Sequence, residues 1–193
     1  MVKVSNIAKD KSKLGMPKFE VNNMSSDINH SEKMNIEEFL ELVDKDPQTA
    51  RMIAYVQLKN PKIKSISSTG LRFFLEYIYI ITFYKTSKNN NELEESLLPI
   101  LEKYGTDVIN TFTTRYIREK IKKDEEMFIT AAYFGLYVFM MYISVLKDLK
   151  KYDEKQFARI KEIMKSILQD YIKIDKEDKG LREYWKSIYG EEV

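Results

Sequence analysis

The sequence predicts an all-α protein, an irregular bundle of six to eight helices around a central apolar helix at about residues 125–150. Three observations favour this fold class. The 193 residues include only six Gly and four Pro, which are too few turn formers for a protein built of many β-hairpins. Hydrophobic residues make up 44% of the chain, enough to fill a core. Most of them recur at helical spacing, and no stretch alternates long enough to indicate a strand.

The chain divides into a polar tail and one helical domain. Residues 1–34 are rich in Lys, Asn and Ser and show no sustained period, which is typical of a flexible tail. Residues 35–193 form the predicted single domain, within the usual domain size of roughly 100–200 residues. Its first helix is predicted to begin at Asn35, whose side chain can cap the first turn, and to end near Asp44.

The next two helices have clear boundary signals. Asp46-Pro47 places a capping carboxylate before a proline at the first helical position, and Asn60-Pro61 ends the helix that follows. The hydroxyl residues of Ser65–Thr69 can cap a third helix, which is predicted to run to about Lys85.

The second half of the domain is predicted to contain four or five helices. After a polar loop at Ser87–Asn91, a helix at Glu92–Tyr104 is expected to end at Gly105 as its C-terminal cap, and Thr106–Lys122 forms the next helix. The remaining predicted helices are the central one, Asp153–Lys173, and a last short helix containing Leu181, Trp185 and Ile188.

The central segment allows two interpretations. Residues 127–146 are 20 residues without a charge, which meets the length criterion for a membrane span. However, several amphipathic helices flank this segment, and they need an apolar centre on which to pack. We therefore predict a buried central helix without a membrane, and keep the membrane-spanning protein as an alternative.

The sequence lacks the residues and motifs on which most enzymes depend. His30, in the tail, is the single His, and there is no Cys. The residues that usually form metal sites and nucleophile–base pairs are therefore missing from the predicted domain. The six Gly are scattered, and no phosphate-binding loop occurs. We expect no catalysis, no metal and no cofactor. The absence of Cys and of an apolar run in Met1–Asn6 favours the cytoplasm.

Basic residues form two groups that could bind a phosphate backbone. One group lies in and after the link between the second and third helices. The other is a stripe along Thr106–Lys122, predicted to face outward while Tyr116 faces the core. Because the stripe is expected to be exposed, changing its three residues to Glu is predicted to leave stability nearly unaltered. In the alternative interpretation Arg72 pairs with Glu76, Arg118 pairs in the neighbourhood of Glu119, and the lysines are merely solvated. The candidate nucleic-acid-binding residues are Lys62, Lys64, Arg72, Arg115, Arg118 and Lys122.

Two short motifs carry a resemblance to a known family. Ile66-Ser67-Ser68-Thr69-Gly70-Leu71-Arg72-Phe73-Phe74-Leu75, followed later by Phe128-Ile129-Thr130-Ala131-Ala132-Tyr133, resembles the small helical subunit of type III CRISPR interference complexes. The resemblance covers about residues 46–149. The tail and the helices after Lys150 exceed the usual small subunit.

The resemblance implies a non-catalytic subunit that stacks in several copies along a ribonucleoprotein. Its partners would be the other subunits of a CRISPR effector complex and the backbones of guide RNA and target RNA, contacted through Lys and Arg. The motif itself carries over Arg72, whereas the other five basic residues are selected by charge and position.

The sequence is also compatible with other functions. The chain could be a helical protein–protein interaction module, or a viral or plasmid accessory protein without nucleic-acid binding. A helix-turn-helix DNA reader is disfavoured because the helix after Pro61 is mostly apolar and must be buried.

Overall fold

The computed structural model describes residues 19–21, 32–87 and 90–193, so most of the predicted tail, including His30, lies outside the described residues. Within them the protein is an all-α bundle, as predicted. The helices are α1 (Ile36–Lys45), α2 (Pro47–Lys59), two 3-10 helices (Pro61–Lys64 and Ile66–Ser68), α3 (Thr69–Thr86), α4 (Asn90–Thr113), α5 (Arg115–Lys122), α6 (Glu125–Asp148), α7 (Glu154–Ile174) and α8 (Gly180–Tyr189).

Two three-residue strands precede the helices. β1 (Phe19–Val21) pairs antiparallel with β2 (Glu32–Met34), with Phe19 opposite Met34. The sequence pattern predicts neither strand, because three residues are too few to establish an alternating pattern.

The first two helices begin where the sequence places them. The Asn35 side chain accepts a hydrogen bond from the Glu38 backbone N–H at 2.8 Å, and the Glu38 carboxylate accepts one from the Asn35 N–H at 2.9 Å. This capping box satisfies two backbone donors of α1. Asp46 caps α2 by accepting a hydrogen bond from the Thr49 N–H at 3.1 Å.

The central helix α6 is the core of the bundle, as predicted. It is buried over most of its length and contacts α3, α4, α5, α7 and α8. Phe134, which is 1% exposed, packs its ring against those of Phe74, Tyr77 and Tyr133 at centroid distances of 5.0–5.5 Å. The apolar faces of α6 are therefore covered by the neighbouring helices of the bundle.

Gly105 does not cap a helix, so this prediction was wrong. Helix α4 continues through Gly105 to Thr113. A Cβ at Gly105 would lie 2.7 Å from Cδ1 of Tyr142, so the missing side chain lets α4 approach α6 closely.

The predicted helix Thr106–Lys122 is also broken, at Thr114. Residue Thr114 has an extended backbone, with φ −76° and ψ 106°. The hydroxyls of Thr113 and Thr114 donate to the carbonyls of Ile109 and Asn110, four residues earlier, at 2.7 and 2.6 Å. Such hydroxyls compete with the helical hydrogen-bond ladder, and α5 starts in a new direction.

Among the described residues, α6 is the one helix long and apolar enough to cross a membrane. However, 78% of its most apolar 18-residue window is buried inside the bundle. A core helix passes the same length test, so this finding is weak evidence for a span.

We predict that the protein will remain in the supernatant without detergent after ultracentrifugation of a lysate, because neighbouring helices cover α6. Recovery in a membrane pellet that releases the protein only with detergent would contradict this prediction and favour the membrane-spanning alternative.

Candidate nucleic-acid interface

The link between α2 and α3 consists of two short 3-10 helices that hold their lysines outward. The Asn60 side chain accepts a hydrogen bond from the Lys62 N–H at 3.0 Å, and Pro61 occupies the first position of the first 3-10 helix. Ile63 is buried and anchors this segment to the core. Lys62 and Lys64, on either side of Ile63, are exposed.

Helix α5 lies next to this link. Ile121 is buried and Ile117 packs partly against the core, which fixes the orientation of α5 on the bundle. The helix contacts both α6 and the 3-10 helix Ile66–Ser68. Tertiary folding thus brings together two basic segments that are about fifty residues apart in sequence. We call the cations of the link and of α5 and its end the basic surface: Lys62, Lys64, Arg115, Arg118, Lys120, Lys122 and Lys123.

The three residues of the predicted stripe differ in availability. Arg115 is exposed and has no ion pair among the described residues. The Arg118 side chain is 29% exposed, and its Nη2 lies 4.0 Å from Oε1 of Glu119. The Lys122 side chain is 32% exposed and donates a hydrogen bond to the carboxylate of Asp170 on α7. Arg115 is therefore the freest of the three.

The Lys122 ion pair corrects the predicted effect of changing the stripe to Glu. A carboxylate at position 122 would face that of Asp170, whose pKa is lowered by hydrogen bonds from Lys122 and Lys173 against the opposing effect of burial. Two carboxylates in this place repel each other. The triple change is thus expected to reduce stability, and mutations that test function should leave Lys122 unchanged.

Tyr116 also departs from the sequence prediction. It was expected to face the core, but it is 63% exposed. The break at Thr114 causes the difference, because α5 does not continue the helical wheel of α4. The Nζ of Lys120 lies 5.4 Å from the centroid of the Tyr116 ring, so the tyrosine stands among the cations of the basic surface.

The Arg72 side chain is paired inside the protein. Its Nε lies 2.9 Å from Oδ2 of Asp107, and its Nη2 donates to the hydroxyl of Thr111 at 3.0 Å. The side chain is only 13% exposed, and Oε1 of Glu76 is 4.0 Å from Nε. The structure therefore does not place Arg72 on the basic surface, and an RNA contact by this residue stays a prediction without geometric support.

The carboxyl of Glu76 is part of the same buried cluster. Burial raises its pKa well above the ordinary value, and the neighbouring Asp107 carboxyl raises it further, while Arg72 acts in the opposite direction. Asp107 lies 35 residues after Arg72, so no local pattern in the sequence predicts that the two residues pair.

The serines of the link do not cap α3 in the way the sequence indicated. Ser68 precedes the helix but makes no side-chain cap. Instead the hydroxyl of Ser65 lies 3.0 Å from those of Ser67 and Ser68. Serine hydroxyls are common donors to phosphate oxygens in nucleic-acid interfaces, so this cluster suits the cations beside it.

Acidic residues limit the basic surface at the end of α5. Asp124 caps α6 by accepting a hydrogen bond from the Met127 N–H at 3.0 Å, and Glu125 and Glu126 follow in the first turn. Their position at a helix N-terminus is the ordinary stabilising one. Among the residues that the structure describes, no group of three or more His, Cys, Asp or Glu side chains could hold a metal ion.

By fold and surface, the chain belongs to the class of all-α bundles with an exposed basic surface. In comparisons with known proteins, no protein-family model, no curated protein and no solved structure matches it. Its function is therefore inferred from the surface and from the resemblance of its two motifs.

Proposed function

We propose that the protein is a non-catalytic small subunit of a type III CRISPR RNA-guided effector complex. In this proposal the basic surface contacts the backbones of guide and target RNA. The observation that carries the proposal is the contact between α5, which bears Arg115, and the 3-10 helix Ile66–Ser68, which follows the helix that bears Lys62 and Lys64. The segment 66–75, where the family resemblance begins, starts at this contact.

The packing of the two resembling segments supports the same proposal. Gly70 at the start of α3 faces Thr130 of α6, and a Cβ at Gly70 would lie 3.0 Å from Cβ of Thr130. The two segments thus lie against each other in the fold. A Cβ at this point would make a tight contact with Thr130, so glycine favours the close approach of the two helices.

The chemistry of the surface favours a phosphate backbone as ligand. Lys62, Lys64 and Arg115 are exposed and have no ion pair among the described residues. Cations of this kind bind phosphates electrostatically and without sequence preference, which a subunit repeated along a guide RNA needs. Arg115 can also donate two parallel hydrogen bonds to one phosphate.

Assembly, copy number and location form part of the proposal. The subunit would bind other subunits of the complex, in several copies, in the cytoplasm. Purifying the tagged protein from its native host and identifying the proteins and RNA that accompany it tests this assembly.

The RNA contact is tested with a charge-reversal variant, Lys62→Glu, Lys64→Glu and Arg115→Glu combined. We predict that it will bind RNA at least about tenfold more weakly than the original protein, since three phosphate contacts are lost. The slope of log K against log salt is expected to fall by about 0.7 for each lost contact on single-stranded RNA. Fluorescence anisotropy across a salt series measures both quantities.

The matched control reverses three lysines at the other end of the bundle. Lys150, Lys151 and Lys155 are exposed near the C-terminal end of α6, whereas α5 precedes its N-terminal end. Reversing them changes the net charge by the same amount and is expected to preserve RNA binding. Equal affinities and slopes for both variants would favour the protein–protein interaction module.

A further inference from the structure

One aromatic ring stands out on the basic surface. Among the large apolar side chains that the structure describes, Tyr116 is the most exposed, at 63%, followed by Met52 at 62%. Its position on α5 is fixed, because Ile121 is buried five residues later and holds the helix on the bundle. The ring is thus presented to solvent by a rigid element and not by a loop.

The surroundings of Tyr116 are cationic. Arg115 precedes it, and Lys120 places its ammonium group 5.4 Å from the ring centroid. The one acidic residue of α5 is Glu119, which is exposed and has its Oε1 4.0 Å from Nη2 of Arg118. An aromatic ring beside a cation is an arrangement that single-stranded nucleic-acid sites use, with stacking for the base and charge for its phosphates.

We propose that Tyr116 is a stacking site for an unpaired RNA base, with Arg115 and Lys120 holding the flanking phosphates. This inference rests on the proposed RNA-binding function and specifies its ligand as RNA with unpaired bases. In a continuous duplex both faces of each base are covered by neighbouring bases, and the ring has nothing on which to stack. A base stacking on Tyr116 shares the ring with Lys120 or displaces it.

The test compares Tyr116→Ala with Tyr116→Phe on an unstructured single-stranded RNA and on an RNA duplex of the same sequence. Stacking contributes about 1–3 kcal/mol per base, so Tyr116→Ala is expected to weaken single-strand binding roughly 5- to 150-fold. Tyr116→Phe keeps the ring and is expected to bind within about twofold of the original protein. Duplex binding should be the same for all three proteins.

The salt dependence separates stacking from charge. Because no phosphate contact is lost, Tyr116→Ala should keep the original slope of log K against log salt, unlike the charge-reversal variant. Met52→Ala, which removes an equally exposed side chain from α2, is the control and should leave RNA binding unchanged.

Three outcomes would overturn the inference, and they differ in whether they also contradict the proposed RNA-binding function. If Tyr116→Ala binds single-stranded RNA as well as the original protein while charge reversal weakens binding, the stacking site is absent and the proposed function stands. If Tyr116→Ala weakens duplex binding equally, the ring acts without an unpaired base. If the original protein binds neither RNA, the proposed function fails as well.

Discussion

Replacing Phe134 with Ala is expected to lower the free energy of unfolding by about 3–5 kcal/mol, the usual cost of removing a buried phenyl ring. Phe134 lies in the middle of α6, and its ring contacts those of Phe74, Tyr77 and Tyr133, which belong to two different helices. Truncation leaves a cavity that three aromatic neighbours cannot fill by small movements. The loss of stability therefore includes both the transfer free energy of the buried ring and the cost of the cavity that it leaves.

Urea denaturation monitored by circular dichroism measures this effect. A shift of the midpoint with an unchanged m value indicates a change of stability alone. Phe134→Leu keeps most of the apolar volume and is expected to lose less stability than Phe134→Ala. Tyr116→Ala, at an exposed position, should stay within about 0.5 kcal/mol of the original protein. A loss below about 1 kcal/mol for Phe134→Ala would contradict the central position of α6.

The second large effect is expected for Arg72→Met, which should destabilise the protein by about 2–3 kcal/mol. The substitution removes the guanidinium between Asp107 and Thr111 and leaves their polar atoms without this donor. Met keeps an apolar chain of similar length, so the loss reports on charge and hydrogen bonding rather than on volume. Arg115→Met, at an exposed position without an ion pair among the described residues, is the matched control and should change stability by less than about 0.5 kcal/mol.

Because Glu76 is buried in the same cluster, the free energy of unfolding depends on pH through this residue. Burial, and then the Asp107 carboxyl, raise the pKa of Glu76 above its ordinary value of 4.5. The folded protein therefore retains a proton that the unfolded chain releases. The contribution of Glu76 to stability is fully present below pH 4.5 and is lost as the pH rises towards the raised pKa.

Glu76→Gln isolates this contribution, because Gln resembles the protonated carboxyl and does not titrate. We expect the difference in unfolding free energy between Glu76→Gln and the original protein to shift in favour of the variant as the pH rises above 4.5. Denaturation curves at several pH values provide the measurement. A difference that is constant with pH would mean that Glu76 has the same pKa in both states.

If Arg72→Met and Glu76→Gln behave as expected, Arg72 has a structural role that is sufficient to explain its presence in the motif. RNA binding by Arg72→Met at a temperature where the variant is folded then decides whether the residue has a second role. An unchanged RNA affinity would leave the phosphate contacts to the basic surface alone.

Local signals made the helix starts of this protein predictable. Asn35, Asp46 and Pro47 act on backbone groups within three or four residues, so their effect does not depend on the rest of the fold. The central position of α6 was predictable for a related reason. A helix that is apolar all round has no polar face to turn to water, and burial in the bundle is its stable place in a protein without a membrane.

The sequence by itself determined the fold class, the central helix and the existence of two basic segments, because composition and periodicity contain this information. The tertiary structure alone decided that Gly105 accommodates Tyr142, that Arg72 binds Asp107, and that Tyr116 faces solvent. Each of these depends on a contact between residues far apart in sequence, or on the direction in which α5 leaves Thr114. A local pattern states which residues are polar or apolar, but only packing selects their neighbours.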